Sequence, residues 1–254
     1  MPASASWPEY LQGYHDRRPG ITEDLLRRCT PDPYAWLLEG VETTGLRVLD
    51  LACGSAPLRP DLAGVQYLGL DASTKELAAA AARQRGPLVR ADATQLPLPD
   101  ASVDLVLCSM ALQVMTPLPA VLAELRRVLT PVGSLVALVP VSRPLTLTDR
   151  VRYARVLRRL RRTRLGYANP RVPAALRGAG WTVRKIESQR VAYHIGQPGD
   201  GQRLIDAFYL PGTTAEQHAA ASDLVRGWSG TKIGIPLQRL VATPPARRQS
   251  PGER

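Results

Sequence analysis

The fold of this chain is decided by the segment Val48-Leu49-Asp50-Leu51-Ala52-Cys53-Gly54-Ser55-Ala56. Its first half is short and apolar, which is typical of a strand buried on both faces of a sheet. Its second half is a loop of small residues, which after a strand lets a ligand approach the backbone at the carboxyl edge of a parallel sheet. A tight turn that binds no ligand has the same composition, so the segment alone predicts only the strand and the turn.

Outward from this segment, short apolar runs alternate with stretches of helical periodicity. The apolar runs predict seven strands, namely Arg47–Ala52, Gln66–Asp71, Leu88–Asp92, Val103–Met110, Ser134–Val141, Trp181–Tyr193 and Ile235–Thr243. Strands that alternate with helices at this spacing form a doubly wound sheet. We therefore predict an α/β fold with a Rossmann-like, doubly wound, seven-stranded and mostly parallel sheet.

The chain divides into three parts by composition. Residues 1–46 contain short helices separated by Pro, and we predict an N-terminal helical cap there. Residues 47–243 hold the predicted strands, and two helices inserted between the last strands, within residues 196–232, are predicted to form a lid. Residues 244–254 are rich in Pro, Arg and Ser, a composition that predicts a disordered tail.

The chain is strongly basic, but its composition favours a nucleic-acid partner only weakly. It has 254 residues, with 33 Lys and Arg against 22 Asp and Glu, which gives a net charge of +11. Only Lys75, Lys185 and Lys232 are lysines, so nearly all of the positive charge is arginine. Together with the abundant Ala, Pro and Gly, this arginine content indicates a GC-rich bacterial genome.

Cysteine usage and hydropathy indicate a cytoplasmic protein. Cys29, Cys53 and Cys108 lie far apart and form no CxxC pair, which argues against a zinc ribbon and a disulfide framework. We expect no metal. No run approaches the roughly 18 apolar residues of a membrane span, and residues 1–10 do not resemble a signal peptide. We therefore also expect no transmembrane segment.

Two aspartates follow the next two predicted strands. Asp71 ends the second strand, about twenty residues after the small-residue loop, where a carboxylate can accept two hydrogen bonds from a ribose diol. It could instead only cap the helix that follows. Asp92 follows the third strand, where it could accept a hydrogen bond from an adenine amino group or be a solvated loop residue.

These three features together resemble the class I S-adenosylmethionine (SAM)-dependent methyltransferases. The likeness is greatest to the broad group of ubiquinone and menaquinone methyltransferases, which carry the type 11 methyltransferase domain. It covers residues 47–141 and includes Leu96–Asp104, before the fourth strand, and Val121–Gly133, before the fifth. The resemblance implies a bacterial methyltransferase enzyme that uses SAM as its methyl donor.

The resemblance also implies which residues contact SAM. The small-residue loop would face the methionine part, Asp71 would hold the ribose, and Asp92 with Ala93 would contact adenine. Ser109 and Met110, after the fourth strand, would lie beside the sulfonium and the substrate. The expected cofactor residues are Asp50, Ala52, Cys53, Gly54, Ser55, Ala56, Asp71, Ala72, Asp92, Ala93, Ser109 and Met110.

Two departures from the family pattern limit what can be transferred. Ala56 stands where the family often has a third glycine, and Pro57 follows it, so the shape of the loop is left open. The segment Met110-Ala111-Leu112-Gln113 lacks the histidine that is common in relatives after the fourth strand. No general base therefore follows from that position.

Methyl transfer places modest demands on the protein. It is an in-line displacement at an activated carbon, so the protein mainly aligns the reactants, and it needs a base only if the acceptor must lose a proton. Our candidate catalytic residues are His15 and Gln113. Our candidates for acceptor binding are Tyr14, Gln113, Tyr209 and Trp228, each of which could equally belong to the core.

The function predicted from the sequence is methyl transfer from SAM to a small organic acceptor. The alternative is an RNA methyltransferase, because residues 148–165 carry eight arginines that could bind phosphates: Arg150, Arg152, Arg155, Arg158, Arg159, Arg161, Arg162 and Arg164. A solvated amphipathic helix or an anionic membrane surface would explain the same segment. A second alternative is a SAM-fold protein repurposed as a non-methylating or regulatory binder. The predicted lid could also form a subunit contact, which would make the protein a homodimer.

Overall fold

The computed structural model describes residues 6–163, 165 and 167–246. Most of the predicted tail, residues 247–254, lies outside this range, as does Arg164 of the arginine-rich segment. The strands, in chain order, are β1 (Cys29–Thr30), β2 (Arg47–Leu51), β3 (Gln66–Asp71), β4 (Leu88–Arg90), β5 (Val103–Ser109), β6 (Leu129–Pro140), β7 (Thr182–Ile195) and β8 (Thr231–Thr243).

The helices lie before, between and after these strands. They are α1 (Trp7–Arg17), α2 (Ile21–Leu26), α3 (Pro33–Leu38), α4 (Thr74–Ala82), α5 (Leu118–Val128), α6 (Leu147–Arg159), α7 (Val172–Gly178), α8 (Asp200–Asp206) and α9 (Ala215–Arg226), with a short 3-10 helix at Arg59–Asp61. The first three lie within residues 1–46, for which a cap is predicted, and α8 and α9 lie between the last two strands, within the predicted insertion.

All eight strands of the described chain join one sheet in the order β1-β7-β8-β6-β5-β2-β3-β4. Five strands that are adjacent in this order, β6, β5, β2, β3 and β4, are parallel to one another. In contrast, β8 is antiparallel to both of its neighbours, and β1 is antiparallel to β7. The α/β, Rossmann-like fold is confirmed. The sheet has one strand more than predicted, because the two residues of β1 are too few to give a hydropathy signal.

Apolar packing covers both faces of the sheet. Successive side chains of a strand point to opposite faces, so Leu105 and Leu107 of β5 join one core cluster, whereas Val106 and Cys108 join the other. The first cluster contains side chains of the cap and the insertion, and the second contains those of α5 and α7. The uninterrupted apolar sequence of the central strands follows from this burial on both sides.

The cap is fixed to the rest of the molecule by hydrogen bonds of α1. The indole nitrogen of Trp7 donates to the carbonyl of Val114 at 2.7 Å. The hydroxyl of Tyr14 donates to the carbonyl of Asp206 at 2.7 Å, and the hydroxyl of Tyr10 accepts from the Leu210 N–H at 2.6 Å. Helix α1 therefore joins the segment after β5 to the segment after α8.

Residues 148–159 of the arginine-rich segment lie in α6, which a buried carboxylate attaches to the sheet. Asp149, in the first turn, accepts from Arg190 at 2.6 and 3.0 Å and from the Gly234 N–H at 2.8 Å. The Thr146 hydroxyl, which caps the helix, donates to the same carboxylate. Burial opposes ionisation, but these hydrogen bonds outweigh it and hold the pKa of Asp149 well below its ordinary value.

The described residues contain no membrane-spanning helix and no metal-binding cluster. No helix among them combines the length and the apolar character that crossing a bilayer requires. No group of three or more His, Cys, Asp or Glu side chains in the same part of the chain is arranged to hold a metal ion.

Candidate active site

A cavity of about 710 Å³ lies at the carboxyl edge of β2, β3, β4 and β5, beneath the cap. The ends of the four strands form its floor, and α1 together with Tyr209 forms the opposite wall. Ligand sites for small molecules have volumes of roughly 300–1,000 Å³. The cavity is therefore large enough for a methyl donor with part of an acceptor.

The small-residue loop after β2 turns sharply along one side of the cavity. Ala52, Gly54 and Ala56 all have left-handed backbone conformations, with φ of 53°, 55° and 52°. Gly54 adopts this conformation without strain, whereas the two alanines each carry a steric cost of about 1 kcal/mol. The Gly54 N–H donates to Asp71 at 2.8 Å and the Cys53 N–H to the Leu70 carbonyl at 3.0 Å, so hydrogen bonds to β3 hold the loop in this shape.

Ala56 differs from the rest of the loop. It is fully buried and does not line the cavity, whereas the next two residues, Pro57 and Leu58, do. The expectation that Ala56 itself faces the cofactor is therefore not matched by the geometry. Its left-handed conformation explains why a glycine would be favoured at this position.

Asp50 lies at the end of β2, almost completely buried. The Tyr67 hydroxyl of the neighbouring strand donates to its Oδ2 at 2.9 Å. Burial raises the pKa of Asp50 to about 7, and the hydrogen bond from Tyr67 opposes part of that rise. The carboxylate therefore favours a ligand that brings positive charge, because such a ligand lowers the cost of ionisation.

Asp71 lies at the end of β3 and accepts two backbone hydrogen bonds. Its oxygens accept from the N–H groups of Gly54 and Ser73, each at 2.8 Å. Burial raises its pKa, and these two N–H groups oppose the rise. A carboxylate has about four acceptor positions, so Asp71 can still accept hydrogen bonds from a diol.

Asp92 lies after β4 at the open side of the cavity. Its Oδ1 accepts from both the N–H and the hydroxyl of Thr94, each at 2.8 Å. These bonds fix the orientation of the carboxylate. Its second oxygen has no hydrogen bond among the described residues, so it is placed to accept from a ligand amino group at the rim.

Ser109 and Met110 lie where β5 ends. Within the described part of the chain, the buried Ser109 hydroxyl has no hydrogen-bond partner although it lines the cavity. Buried polar groups are nearly always paired, so this hydroxyl is placed to hydrogen-bond a ligand in the cavity. Met110 has a left-handed backbone, with φ of 59°, and is held by its N–H donating to the Leu138 carbonyl at 2.7 Å.

The cavity is acidic although the whole chain is basic. Its described lining contains one guanidinium group, that of Arg90, and five carboxylates, namely those of Glu23, Asp50, Asp71, Glu76 and Asp92. This donor set fits SAM, which carries a sulfonium and an ammonium group and offers hydroxyl and amino hydrogens. The unpartnered Ser109 hydroxyl and the loop without bulky side chains also agree with that ligand.

On the cap side, three polar side chains form a chain of contacts along the cavity wall. His15 Nδ1 lies 2.9 Å from Glu76 Oε1, and His15 Nε2 lies 3.3 Å from the hydroxyl of Tyr209. His15 and Tyr209 were both predicted from the sequence. Glu76 was not, because at the start of α4 it has the pattern of an ordinary solvated helix residue.

Three predicted residues lie outside this lining. Tyr14 is buried behind Tyr209, with ring centres 4.7 Å apart, and its hydroxyl is bound to Asp206. Gln113 is buried and its amide donates to the Met110 carbonyl at 2.6 Å. Trp228 packs against Arg152 and Arg155 of α6, whose guanidinium carbons lie 5.4 and 5.9 Å from the ring centre. We therefore correct their assignment as direct acceptor contacts, and for Gln113 as a catalytic group.

Comparison with known proteins agrees with this geometry. Residues 49–137 match the family model described as a methyltransferase domain. The demethylmenaquinone methyltransferase of Beutenbergia cavernae is 39% identical over 144 residues, which cover 51% of this chain and 57% of that protein. The 2-phytyl-1,4-naphtoquinone methyltransferase of Synechococcus elongatus is 39% identical over 112 residues, which cover 39% and 48%. The chain thus spans about half the length of the curated relatives it matches.

The fold has solved counterparts over nearly its whole length. The crystal structure of the cyclase SpnF superimposes with a TM-score of 0.64 and 21% identity, covering 97% of this chain and 99% of that one. At this identity the likeness concerns the fold, and it extends to the cap and the insertion. The sheet order, the strand-end carboxylates and the matched residues agree with one another. Residues 49–137 of this chain are thus similar to a methyltransferase domain, and they include the strand ends that form the floor of the cavity.

Proposed function

We propose that the protein transfers the methyl group of SAM to a small organic acceptor by in-line displacement. The observation that carries this proposal is the acidic cavity, in which Asp50, Asp71 and Asp92 lie at or just after the carboxyl ends of three parallel strands. The matched methyltransferase domain supports it, as do relatives whose names describe quinone methyltransferases.

Each part of the methyl donor has a proposed partner in the lining. The loop from Ala52 to Ser55 and the carboxylate of Asp50 would hold the methionine part, with the charge of Asp50 facing the ammonium group. Asp71 and Ala72 would bind the ribose, and Asp92 with Ala93 the adenine. The pair at the end of β5, Ser109 and Met110, would lie beside the sulfonium.

The wall opposite the strand ends is proposed to bind the acceptor. It is formed by apolar and aromatic side chains, with Leu11 from α1, Val114 and Met115 from the segment after β5, and Tyr209 from the insertion. An apolar ring compound fits such a wall better than a strongly charged one. The ring acceptors named for the relatives are of this kind.

A small acceptor suits the cavity better than RNA does. Five carboxylates line the described cavity, and they would repel the phosphates that flank a nucleotide. The arginines of α6 do not belong to the lining. RNA would therefore have to bind at a separate surface, and we keep RNA methylation as the alternative outcome of the experiment.

The experiment has a binding step and a transfer step. Titration calorimetry with SAM and its demethylated product is expected to show binding of both to the full chain. Methyl-labelled SAM, incubated with a small-molecule extract or with total RNA, is then expected to label the extract alone. Labelled RNA would favour the alternative, and no binding of SAM would refute the proposal. Binding without transfer to either pool would indicate a repurposed, non-methylating protein.

We also propose that the protein acts in the cytoplasm. Its three cysteines are free and buried, which suits a reducing compartment. A homodimer remains a separate proposal, for which light scattering of the purified chain is the direct measurement.

A further inference from the structure

The contact chain from Glu76 through His15 to Tyr209 reaches the cavity but has no role in holding SAM as proposed above. All three residues line the cavity, and each comes from a different part of the chain: α4, α1 and the segment after α8. The two contacts therefore join three segments that are distant in the chain into one row of polar atoms beside the cavity.

Glu76 is placed so that its carboxylate faces His15. It is buried, and its Oε2 accepts from the Gly20 N–H at 2.8 Å while its Oε1 contacts His15 Nδ1 at 2.9 Å. Ser73 caps α4 and accepts from the Glu76 N–H at 3.2 Å, so the carboxylate lies in the first helical turn, where the helix dipole favours negative charge.

These contacts define the tautomer of His15. An ionised carboxylate can only accept hydrogen bonds, so Nδ1 of His15 carries the proton in the contact with Glu76. Nε2 is then left with a lone pair. The Tyr209 hydroxyl, 3.3 Å away, donates to that lone pair. Burial raises the pKa of Tyr209 far above its ordinary value, which keeps this hydroxyl protonated.

We propose that His15 Nε2 is the general base of the reaction, that Glu76 is its positioning residue, and that the acceptor is a weakly acidic hydroxyl on an apolar ring. This inference rests on the proposed methyl transfer and names its substrate class. Without an acceptor, the Tyr209 hydroxyl is the hydrogen-bond donor to Nε2. The acceptor hydroxyl either replaces it there or passes its proton to Nε2 by way of the Tyr209 hydroxyl.

The step balances without any further reactant. The acceptor oxygen forms a bond to the methyl carbon of SAM while the carbon–sulfur bond breaks, and its electron pair stays on sulfur, giving the neutral thioether. The acceptor proton moves to His15 Nε2, and Glu76 neutralises the resulting imidazolium. About a quarter of the His15 side chain is exposed, so the proton can then pass to solvent.

The charge and chemistry of the wall favour a hydroxyl over other acceptors. A carboxylate acceptor needs no base and would be repelled by the carboxylates of the lining. A neutral amine is nucleophilic before it loses a proton. A hydroxyl group is a weak nucleophile until its proton is removed, so it gains most from a fixed imidazole base.

The first test measures the tautomer of His15 without any ligand. Nitrogen-15 NMR of the labelled full chain resolves the two ring nitrogens of each of its three histidines, and His15→Gln assigns the signals of His15. We expect a protonated Nδ1 and an unprotonated Nε2. An Nε2-protonated ring in the wild-type chain would overturn the proposal.

Variants of the two neighbours separate positioning from packing. Glu76→Met is expected to move the His15 proton from Nδ1 towards Nε2, whereas Tyr209→Phe is expected to leave the tautomer unchanged. A tautomer that responds to Tyr209→Phe but not to Glu76→Met would overturn the role of Glu76. If Glu76→Met does not fold, the tautomer of His15 in the wild-type chain and in Tyr209→Phe still tests the proposal.

The second test compares 1-naphthol with 1-naphthylamine as acceptors for methyl-labelled SAM. We expect label on the naphthol, and His15→Gln is expected to lower kcat by about 100-fold with little change in the KM for SAM. Glu76→Met should lower kcat at least about tenfold, because it leaves His15 protonated on Nε2, where the ring can no longer accept the acceptor proton. The control is His194→Gln, an exposed histidine of β7, which should behave as wild type.

The two possible failures are distinguishable. Label confined to the amine, or absent from both acceptors while SAM binds normally, would overturn the hydroxyl assignment. Absence of SAM binding would instead refute the proposed function. The NMR measurement does not depend on SAM and tests the arrangement of His15 in either case.

Discussion

The cavity and helix α6 both carry many charged side chains, and they use charge in opposite ways. In the cavity, the carboxylates of Asp50 and Glu76 lie buried and that of Asp71 is partly buried, and each is oriented by a hydrogen bond from the backbone or from Tyr67. On α6, the guanidinium groups of Arg150, Arg158 and Arg159 are exposed.

The arginines of α6 that do make contacts have structural roles. Arg152 donates to the Lys232 carbonyl at 2.5 Å and, with Arg155, packs on Trp228. Arg162, beyond the end of α6, likewise donates to the Thr213 hydroxyl at 3.2 Å. The comparison teaches that the number of charges in a segment says little about ligands, whereas the desolvation and orientation of each charge say much.

The largest effect is expected where α6 is attached to the sheet. Asp149→Ala leaves Arg190 without its buried partner, so we expect a loss of about 3–5 kcal/mol in the free energy of unfolding. Urea unfolding measures it, and Arg158→Ala on the exposed face of α6 is the control. A loss below about 1 kcal/mol would contradict the view that a single buried charge attaches this helix.

The next effect concerns the carboxylate at the end of β3. Asp71→Asn removes a charged acceptor of ligand hydroxyls, so we expect SAM to bind about 30- to 100-fold more weakly, or about 2–3 kcal/mol. The control is Asp104→Asn. Asp104 lies near the start of β5, at the end of the strand away from the cavity, and it pairs with Arg47. Calorimetry should show unchanged affinity in that variant, and equal losses in both would refute a localised SAM site.

A smaller effect should appear in the pH dependence of stability. The pKa of about 7 for Asp50 exceeds its ordinary value of 3.8, so between these values the native state retains a proton that the unfolded chain has released. This contribution therefore destabilises the protein as pH rises from 4 to 7. Asp50→Asn cannot ionise, and we expect it to gain about 3 kcal/mol relative to wild type between pH 4.5 and pH 8. A constant difference at the two pH values would contradict this.

The smallest effect is expected on the exposed face of α6. Replacing Arg150, Arg158 and Arg159 together by Gln should change the free energy of unfolding by less than about 1 kcal/mol and leave SAM affinity unchanged. Retention of total RNA on the immobilised chain, measured against salt concentration, should also be unchanged. A clear drop in retention near physiological salt would instead make α6 a nucleic-acid surface.

Most of the fold could be predicted because its strands are buried on both faces. All seven predicted strands are present, but β6 and β8 begin five and four residues earlier than predicted. The early part of β6 contains Pro131 and Gly133, and that of β8 contains Lys232 and Gly234. These extensions depend on pairing with neighbouring strands, as His194 does with Lys232, rather than on local hydrophobicity.

The donor side of the site was more predictable than the acceptor side. The donor residues follow strand ends, and the order of parallel strands brings strand ends together. The acceptor side depends on packing between segments distant in the chain, such as His15 against Glu76. Tyr14 and Trp228 are aromatic like Tyr209, but only Tyr209 of the three lines the cavity. The local sequence around an aromatic residue does not show whether it packs in the core or lines a cavity.

The position of β8 has a consequence for how the protein is made. This strand comes after β6 and β7 in the chain, yet it lies between them in the sheet. During translation the parallel strands from β2 to β6 leave the ribosome first and can pair at once, whereas β7 must wait for β8 before it can join the sheet. The growing chain can thus complete the proposed SAM-binding edge before Tyr209 completes the proposed acceptor wall, so the order of synthesis would separate the two halves of the site.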